Sequence, residues 1–230
     1  MILFTLNDLI KNEIYLGHKL ENFDTRNFKF IYKIINHNLI IDLIQTAKYL
    51  INSYIFLYKL SIYKNNIIFI DSKFISKNLI KKSAIISNQY YINYSWISGL
   101  ITNWKIIKNN ILLLNWFNKI KILLKNKKLF KIRIFNKFYK KLNFKYKNLK
   151  YINIIPNTLF IVNINYDIIA FKEAFKSKKI IISIVDTNIN SNTINIPIPG
   201  NNKNYLSIKY ILKIVTTALL HGKLKSLNLI

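Results

Sequence analysis

Residues 158–186 read TLFIVNINYDIIAFKEAFKSKKIIISIVD, and this stretch decides the fold class. It begins with a short apolar run, TLFIVN, and ends with a second apolar run, KIIISIVD. Between the two runs, Asp167 to Lys178 has amphipathic helical spacing, with an acid at its start and lysines at its end, as the helix dipole prefers. Unbroken apolar strands that are joined by a helix are typical of a parallel sheet covered on both faces. The stretch therefore predicts a βαβ unit with a right-handed crossover.

The same alternation of strands and helices extends through the rest of the chain. Further strands are predicted at residues 38–42 (NLIID), 66–71 (NIIFID) and 90–92 (YYI). Helices are predicted at residues 5–15, 43–60, 73–87 and 205–221, the first with a weak capping signal at Thr5 and Asp8 and the last ended by Gly222. The predicted fold class is therefore α/β, with a doubly wound, mainly parallel five-stranded sheet and helices on both faces.

Residues 103–153 depart from this pattern, because they contain neither glycine nor proline. Their apolar residues are spaced 4-3-4 and then 3-4-3, at Leu113, Phe117, Ile120 and Leu124 and at Ile132, Phe135, Tyr139 and Leu142. The polar segment KNKK at Lys125–Lys128 separates the two series. This pattern predicts an antiparallel helical hairpin that protrudes from the sheet, although two ordinary core helices would share it. The predicted organisation is a sheet domain of residues 1–102 and 154–230 with an inserted basic hairpin of residues 103–153.

The charge of the chain points to a polyanionic partner. The 230 residues include 36 Lys and Arg but only 9 Asp and Glu, which gives a formal net charge of +27. Small soluble domains usually stay within about 8 charges of neutrality, and self-repulsion of this size destabilises a free compact state. From Ser72 to Tyr166 there are 19 basic residues and no acidic one. A block this one-sided is more often an interaction surface than a passive one.

Signals for catalysis are weak. Cysteine is absent and only 4 glycines occur, which excludes thiol chemistry and the glycine-rich loops that bind phosphate groups. The histidines are too far apart for a zinc motif. Three acids, Asp42, Asp71 and Asp186, follow predicted strands, where ligands of open parallel sheets bind. An Asp at that place more often caps the next turn or helix. The sequence therefore predicts no enzyme, no cofactor, no metal and no small-molecule substrate.

Two polar segments carry a better signal, which is for nucleic acid. Residues 89–105, QYYINYSWISGLITNWK, combine aromatic side chains with amides, hydroxyls and a lysine. Aromatic rings stack on bases, and the polar groups reach sugars and phosphates. The same rings could instead belong to the core. A second segment, residues 17–29 (GHKLENFDTRNFK), is loop-like and holds charges of both signs.

These segments resemble the family of ribosomal protein two of the small subunit, in its bacterial and organellar form. The resemblance runs nearly from end to end and follows the family order. It is carried by Gly17-His18, Phe23–Tyr32, Ile68–Lys73 (IFIDSK), Gln89–Lys105, Pro156–Asn163 (PNTLFIVN), Ile168–Ala174 (IIAFKEA), Ile184–Asn188 (IVDTN) and Ile198–Asn201 (IPGN). Three of the four glycines and all three prolines lie in or beside one of these segments, in a chain of which Ile, Asn and Lys make up half.

The resemblance implies a structural component of the small ribosomal subunit, without catalysis. The implied partners are small-subunit ribosomal RNA and neighbouring small-subunit proteins, with no membrane. The residues that we expect at the RNA are His18, Lys19, Arg26, Lys29, Lys73, Asn93, Trp96, Thr102, Asn103, Trp104, Lys105, Lys125, Lys127 and Lys128. Trp96, Asn103 and Trp104 could equally be packing residues.

Two departures from the family pattern lie in these segments. The usual Trp-Asn-Pro-Lys is Phe23-Asp24-Thr25-Arg26 here, and the loss of proline predicts a looser loop. The usual His-Arg before the tryptophan is Tyr94-Ser95 here, which predicts one phosphate contact fewer. The hairpin resembles the family only in position and character.

Two other functions remain open at this point. A peripheral protein could bind an anionic membrane through the lysine-rich hairpin. An enzyme could bind a dinucleotide or another phosphate ligand at the sheet, although the glycine loop is missing. The compositional bias towards Ile, Asn and Lys is typical of A/T-rich genomes. It favours a mitochondrion over a plastid or a bacterium, and the N-terminal residues show no secretory or transit signal.

Overall fold

The computed structural model describes residues 3–123 and 133–228. The chain divides into two compact units, one formed by Met1–Ser95 with Pro156–Ile230 and the other by Trp96–Ile155. The first unit, called here the sheet unit, contains both sheets. The second unit, called here the helical unit, contains two long helices.

The sheet unit is built on five parallel strands. These strands are β4 (Ile67–Ile70), β5 (Tyr90–Ile92), β6 (Thr158–Ile161), β7 (Ile180–Val185) and β8 (Ile196–Pro199), where numbering follows the chain. Their order across the sheet is β5-β4-β6-β7-β8, and every neighbouring pair is parallel. The order reverses between β4 and β6, as in doubly wound folds. The predicted α/β fold class with a five-stranded parallel sheet is confirmed.

The central strands are buried because both of their faces are covered. In-register residues share a face, so Phe69 lies beside Phe160, with ring centroids 5.5 Å apart. This face joins the main core cluster with helices α2 (Leu43–Ile62), α3 (Lys77–Ser87) and α7 (Tyr205–Ser226). The alternate residues, such as Ile68 and Ile161, are also fully buried but lie outside that cluster. Helix α6 (Ile168–Lys176) contacts β7 with fully buried alanines that are likewise outside the cluster, so helices cover both faces.

One predicted strand belongs to a different sheet. Residues 38–42 form β3 (Asn38–Ile41), which lies between β1 (Leu16–Lys19) and β2 (Ile31–Ile35) in an antiparallel three-stranded sheet. Asn36 and His37 both have positive φ and connect β2 to β3, as a two-residue hairpin turn requires. Strand β2 is an edge strand with exposed Tyr32, Ile34 and Ile35 side chains.

The fifth parallel strand is β8, which the sequence pattern missed. Its residues are Ile196, Pro197, Ile198 and Pro199, and prolines normally argue against a strand because they cannot donate a ladder hydrogen bond. They are tolerated here because β8 lies at the edge of the sheet.

The helix boundaries follow local capping chemistry. Helix α1 (Leu6–Lys11) starts with the predicted capping box, in which the Thr5 hydroxyl accepts from the Asp8 amide and the Asp8 carboxylate accepts from Thr5. The Asp42 carboxylate caps α2 by accepting from the Ile44 amide at 2.9 Å. The prediction that Gly222 ends the last helix is wrong, because α7 continues to Ser226. A Cβ at Gly222 would lie 2.4 Å from the carbonyl oxygen of Tyr58, so glycine allows α7 to pack closely on α2.

The helical unit contains α4 (Trp104–Leu123) and α5 (Arg133–Tyr146). The Tyr139 hydroxyl donates to Asn118 Oδ1 at 2.9 Å, and Asn110 Nδ2 donates to the Tyr146 hydroxyl at 3.2 Å. Because residue numbers rise on one helix as they fall on the other, the two helices are antiparallel. The predicted turn at Lys125–Lys128, together with Leu124 and Ile132, lies outside the described residues, as does the side chain of Phe135. The protrusion of the hairpin and its predicted domain boundaries stay predictions.

The seam between these helices differs from the predicted one on α4. Phe117 and Leu142 are buried as expected, and the Phe117 ring contacts the Phe138 ring at 5.8 Å. Leu113 is exposed, however, and Leu114 is fully buried in its place. The buried stripe of α4 runs through Ile107, Ile111, Leu114 and Phe117. Residues 113 and 114 are both leucine, so the spacing alone fitted two neighbouring stripes.

Candidate nucleic-acid interface

The lysines of this chain cannot be neutralised internally. Nine carboxylates face 36 Lys and Arg, so at least 27 cations have no acidic partner. All nine acids lie in the sheet unit, whereas residues 96–155 contain 15 basic residues and no acid. Most of the described lysines of the helical unit are exposed, namely Lys105, Lys108, Lys119, Lys137, Lys140, Lys141, Lys145 and Lys147. The helical unit therefore presents a surface of one sign.

The Gly17-His18 segment is a packing element of the sheet unit. A Cβ at Gly17 would lie 2.6 Å from Cγ2 of Thr187 and 2.9 Å from the carbonyl oxygen of Leu39, so only glycine fits. The His18 amide donates to Thr187 Oγ1 at 3.0 Å, and its Nδ1 lies 2.8 Å from Asp186 Oδ1. The His18 side chain is only 6% exposed. Its place in the structure is thus to fix strand β1 to the end of β7, with little surface left for RNA.

The loop after His18 contains several side-chain hydrogen bonds, and the looser loop expected from the missing proline stays a prediction. Arg26 donates to both oxygens of Asp24, at 2.8 and 2.7 Å. This pairing lowers the pKa of Asp24 and raises that of Arg26. Asn27 is buried, and its Nδ2 donates to the carbonyl oxygens of Asp186 and Ile189.

Asn27 was missed by the sequence analysis, although its position in a short loop-like segment that also holds Gly17 and His18 was a usable signal. The predicted contacts Lys19 and Lys29 are exposed in the same region, and Lys29 Nζ lies 3.4 Å from Asn192 Oδ1. The loop therefore presents Lys19, Arg26 and Lys29 at the surface.

The carboxyl ends of β4 and β6 hold two buried acids. Asp71 accepts from the Lys73 amide at 3.0 Å and from the Ser76 hydroxyl, and burial raises its pKa to about 6. Asp167 accepts from the Ser72 amide at 2.9 Å and from the Ser72 hydroxyl, and burial raises its pKa too. The Asp71 carboxylate therefore caps the turn that follows β4, as predicted for an acid at a strand end, whereas the Asp167 carboxylate joins two segments that are distant in sequence. Within residues 3–123 and 133–228, no three His, Asp or Glu side chains are grouped as a metal site would need.

Lys73 lies at this same edge of the sheet. Its Nζ donates to the carbonyl oxygen of Lys203 at 3.3 Å and lies 5.7 Å from the centroid of the Tyr166 ring. Burial lowers the pKa of Lys73, and the neighbouring Asp71 carboxylate opposes that effect. Lys73 is half-buried, so it is less available to a phosphate than the lysines of the helical unit.

The segment 89–105 divides into buried and exposed residues. Asn93 is buried, and its Nδ2 donates to the carbonyl oxygen of Lys77 at 3.3 Å. Trp96 is buried, and its Nε1 has no hydrogen-bond partner in the described part of the chain. Thr102, Asn103 and Lys105 are exposed around the start of α4, and Trp104 is half-buried there; these four are the predicted contacts that the structure brings together.

A glycine turn sets up this start of α4. Gly99 has a φ of +85°, a backbone conformation that side chains disfavour, and the Asn103 amide donates to its carbonyl oxygen at 2.8 Å. The first amides of a helix attract anions, and here a hydroxyl, an amide and a lysine surround them. Lys125, Lys127 and Lys128 lie outside the described residues, so their predicted contacts stay predictions.

The model of the family described as ribosomal protein S2 matches residues 9–222, which is nearly the whole chain. The chain belongs to the ribosomal protein S2 family. The predicted resemblance is confirmed. The match begins within α1, ends at Gly222 and thus includes both units.

Curated relatives of this S2 family member cover it almost completely. The small ribosomal subunit protein uS2c of Toxoplasma gondii is 36% identical and aligns with 97% of this chain and 99% of its own length. The uS2 protein of Ehrlichia canis is 32% identical, over 95% of this chain and 76% of its own. The uS2c protein of Gracilaria tenuistipitata is 31% identical over 99% of this chain and 100% of its own.

The family membership bears on the two other functions considered above, an enzyme and a peripheral membrane protein. Ribosomal protein S2 is a structural family rather than an enzyme family. The names of the relatives give no support to membrane binding. In the ranges that the structure describes, no helix combines the length and apolar character that crossing a bilayer requires.

Proposed function

We propose that this S2 family member is a structural constituent of a small ribosomal subunit, where it binds ribosomal RNA and neighbouring ribosomal proteins. The observation that carries the proposal is the helical unit, in which 15 basic residues and no acid occur in 60 residues. Repulsion among these cations disfavours the free folded state, and a polyanion that lies against the surface removes that cost. The relatives are named as proteins of the small ribosomal subunit, which supports ribosomal RNA as that polyanion.

The proposed mechanism is electrostatic docking followed by fitting of shape. Lysines that approach phosphates release condensed counterions. For each phosphate contact, a tenfold rise in salt concentration therefore lowers the logarithm of the binding constant by about 0.7 to 0.9. Phosphate contacts fix the position of the protein on the RNA but carry no sequence information. Specificity then comes from the fixed surfaces that the loops present to folded RNA.

Burial separates the predicted RNA-binding residues into two roles. The exposed Lys19, Arg26, Lys29, Thr102, Asn103 and Lys105 are proposed to contact RNA directly. The buried His18, Asn93 and Trp96 are proposed to hold these segments in shape. Half-buried Lys73 and Trp104 are proposed as peripheral contacts, and Lys125, Lys127 and Lys128 as backbone contacts.

The sheet edge is proposed to be structural and not catalytic. Asp71 and Asp167 direct their oxygens at amides and hydroxyls of their own chain. Such carboxylates are already engaged and would have to break internal hydrogen bonds in order to transfer a proton to a substrate. The absence of a cofactor and of a small-molecule substrate is part of this proposal.

The test is incorporation into small subunits in the source cells. A tagged chain should sediment with the small subunit and should leave that fraction after ribonuclease treatment. The variant Lys125→Glu, Lys127→Glu, Lys128→Glu should incorporate poorly, whereas a matched triple variant at Lys172, Lys176 and Lys178 of the sheet unit should incorporate normally. A tagged chain that stays outside ribosomal fractions and pellets with anionic vesicles in the presence of excess ribosomal RNA would overturn the proposal.

The compartment of this ribosome is a further part of the proposal. The composition favours a mitochondrion, whereas the relatives named above are plastid-type or bacterial. A mitochondrial location therefore stays a prediction. Sedimentation of ribosomes from separated mitochondria and plastids, with detection of this chain by mass spectrometry, distinguishes the compartments.

A further inference from the structure

A cleft runs along the helical unit between α4 and the end of α5. Its volume is about 750 Å³, within the range of small-ligand sites. Leu112, Trp116 and Lys119 line it from α4, at the spacing that places residues on one helix face. Asn143, near the end of α5, and Lys147 and Lys150, in the turn that follows α5, line it from the other side. A helix face and the end of a second helix therefore form its walls.

The chemistry of these walls is selective. Three lysines supply positive charge, and the unit contains no acid that could neutralise them. Asn115 and Asn143 add amide groups, each of which can both donate and accept a hydrogen bond. Leu112 and Trp116 add apolar surface, and Trp116 is 54% exposed. Cations, amides and one flat aromatic face in a single cleft match the parts of a nucleotide.

The Trp116 ring contacts a buried neighbouring ring. It meets the Phe117 ring edge-on, with centroids 5.3 Å apart, and Phe117 is buried in the seam between the helices. The Asn118–Tyr139 and Asn110–Tyr146 hydrogen bonds set the spacing of the two helices in the same region. The contact with Phe117 restricts the indole, and a restricted ring loses less entropy when a base stacks on it.

We infer that this cleft binds an unpaired nucleotide of RNA, whose base stacks on Trp116 while its phosphates lie against Lys119, Lys147 and Lys150. The inference rests on the proposed function, because it names the form of RNA that the helical unit takes. Paired bases within a duplex are stacked on one another and offer no free face to an indole. Stacking of single bases on aromatic residues tolerates any sequence, and lysines follow the backbone. An acidic peptide would satisfy the lysines but leave the exposed indole without a planar partner.

The experiment uses the full chain with two probes, an eight-nucleotide oligouridine and a blunt 12-base-pair RNA duplex. The chain has 3 tryptophans, so comparison of the natural chain with Trp116→Leu isolates the fluorescence of Trp116. We expect oligouridine to quench that signal and the duplex to leave it unchanged. Trp116→Leu should weaken oligouridine binding by about 5- to 150-fold, the range for loss of one stacked base, and change duplex binding by less than about twofold.

Two further variants control for the loss of an aromatic side chain and for the loss of a charge. Phe144→Leu removes an exposed aromatic of α5 that does not line the cleft, and should change neither affinity. Lys147→Ala should weaken both probes alike and reduce the salt slope by about 0.7 to 0.9. Thermal unfolding of each variant checks that the helices still form.

Each outcome decides either the claim that the chain binds RNA or the claim that the cleft binds an unpaired nucleotide. If the natural chain binds neither probe, RNA binding itself fails, and the proposed function fails with it. If the natural chain binds RNA but Trp116→Leu binds both probes normally, or loses both equally, the nucleotide cleft is overturned and the proposed function stands. If an eight-residue glutamate peptide quenches Trp116 as strongly as oligouridine does, the cleft is a general anion site and the inference is likewise overturned.

Discussion

The sheet unit and the helical unit differ in their acidic residues and in how their elements are held together. The sheet unit holds all nine acids, and three of them cap or brace the chain where a strand ends, as Asp42, Asp71 and Asp186 show. The helical unit holds no acid, and its helices are joined by apolar packing and by neutral hydrogen bonds such as Tyr139 to Asn118. Carboxylates thus lie where they stabilise the fold, and they are missing where, under the proposed function, they would repel RNA.

The test with the largest expected effect on this comparison removes most of the helical unit. Replacing Leu112–Asn143 by four Gly-Ser residues should leave the sheet unit folded. It removes 10 basic residues and no acid, which lowers the net charge from +27 to +17. RNA binding at physiological salt should therefore weaken by at least about tenfold. The gap is short, since Asn110 contacts Tyr146 beside the two cut ends. Circular dichroism during thermal unfolding and filter binding to ribosomal RNA measure the two effects. Loss of cooperative unfolding in the shortened chain would show that the helices belong to the core.

A second test concerns the close packing within the sheet unit. Gly222→Val should lower the free energy of unfolding by about 3 kcal/mol or more, because the new Cβ would meet the carbonyl oxygen of Tyr58 at 2.4 Å and push α7 away from α2. Lys223→Val places the same side chain one position further on, where the residue is exposed, and should change the stability by less than about 0.5 kcal/mol. Urea denaturation measures both. Equal stability of the two variants would contradict the packing described for α7.

A third and smaller effect is a dependence of stability on pH that arises in the sheet unit. The pKa of Asp71 is raised from 3.8 to about 6 by burial, so the folded state binds a proton more tightly than the unfolded state does. Its contribution is present in full below about pH 4 and is lost as pH rises through 6. Over that window it amounts to about 1–3 kcal/mol, and Asp71→Asn should remove it. Urea denaturation between pH 4 and pH 7.5 checks this; an unchanged pH profile in the variant would exclude Asp71 as its source.

The parts of the fold that could be predicted are those in which local pattern and tertiary structure agree. The stretch 158–186 forms β6, α6 and β7 in the predicted order, because strands buried on both faces must be apolar throughout. The capping box at Thr5 depends on four consecutive residues only, and it was found for that reason.

The parts that escaped prediction depend on neighbours that are distant in sequence. Strand β8 was not predicted because it contains two prolines, which a strand tolerates only at the edge of a sheet. Which strand lies at the edge depends on the whole sheet and cannot be seen in a local pattern. The α4 stripe was shifted from Leu114 to Leu113 because both positions are leucine. The roles of His18 and Asn93 could not be predicted either, since their burial is created by segments that lie elsewhere in the chain.

The open edge of strand β2 has a consequence for the supply of this protein. Unpaired backbone groups and the exposed Tyr32, Ile34 and Ile35 side chains make this edge able to add a strand from another molecule, and Lys33 is the one charged residue within it. We therefore expect free copies of this chain to associate through this edge. Synthesis matched to demand, or rapid proteolysis of the surplus, is what such an edge requires of the cell.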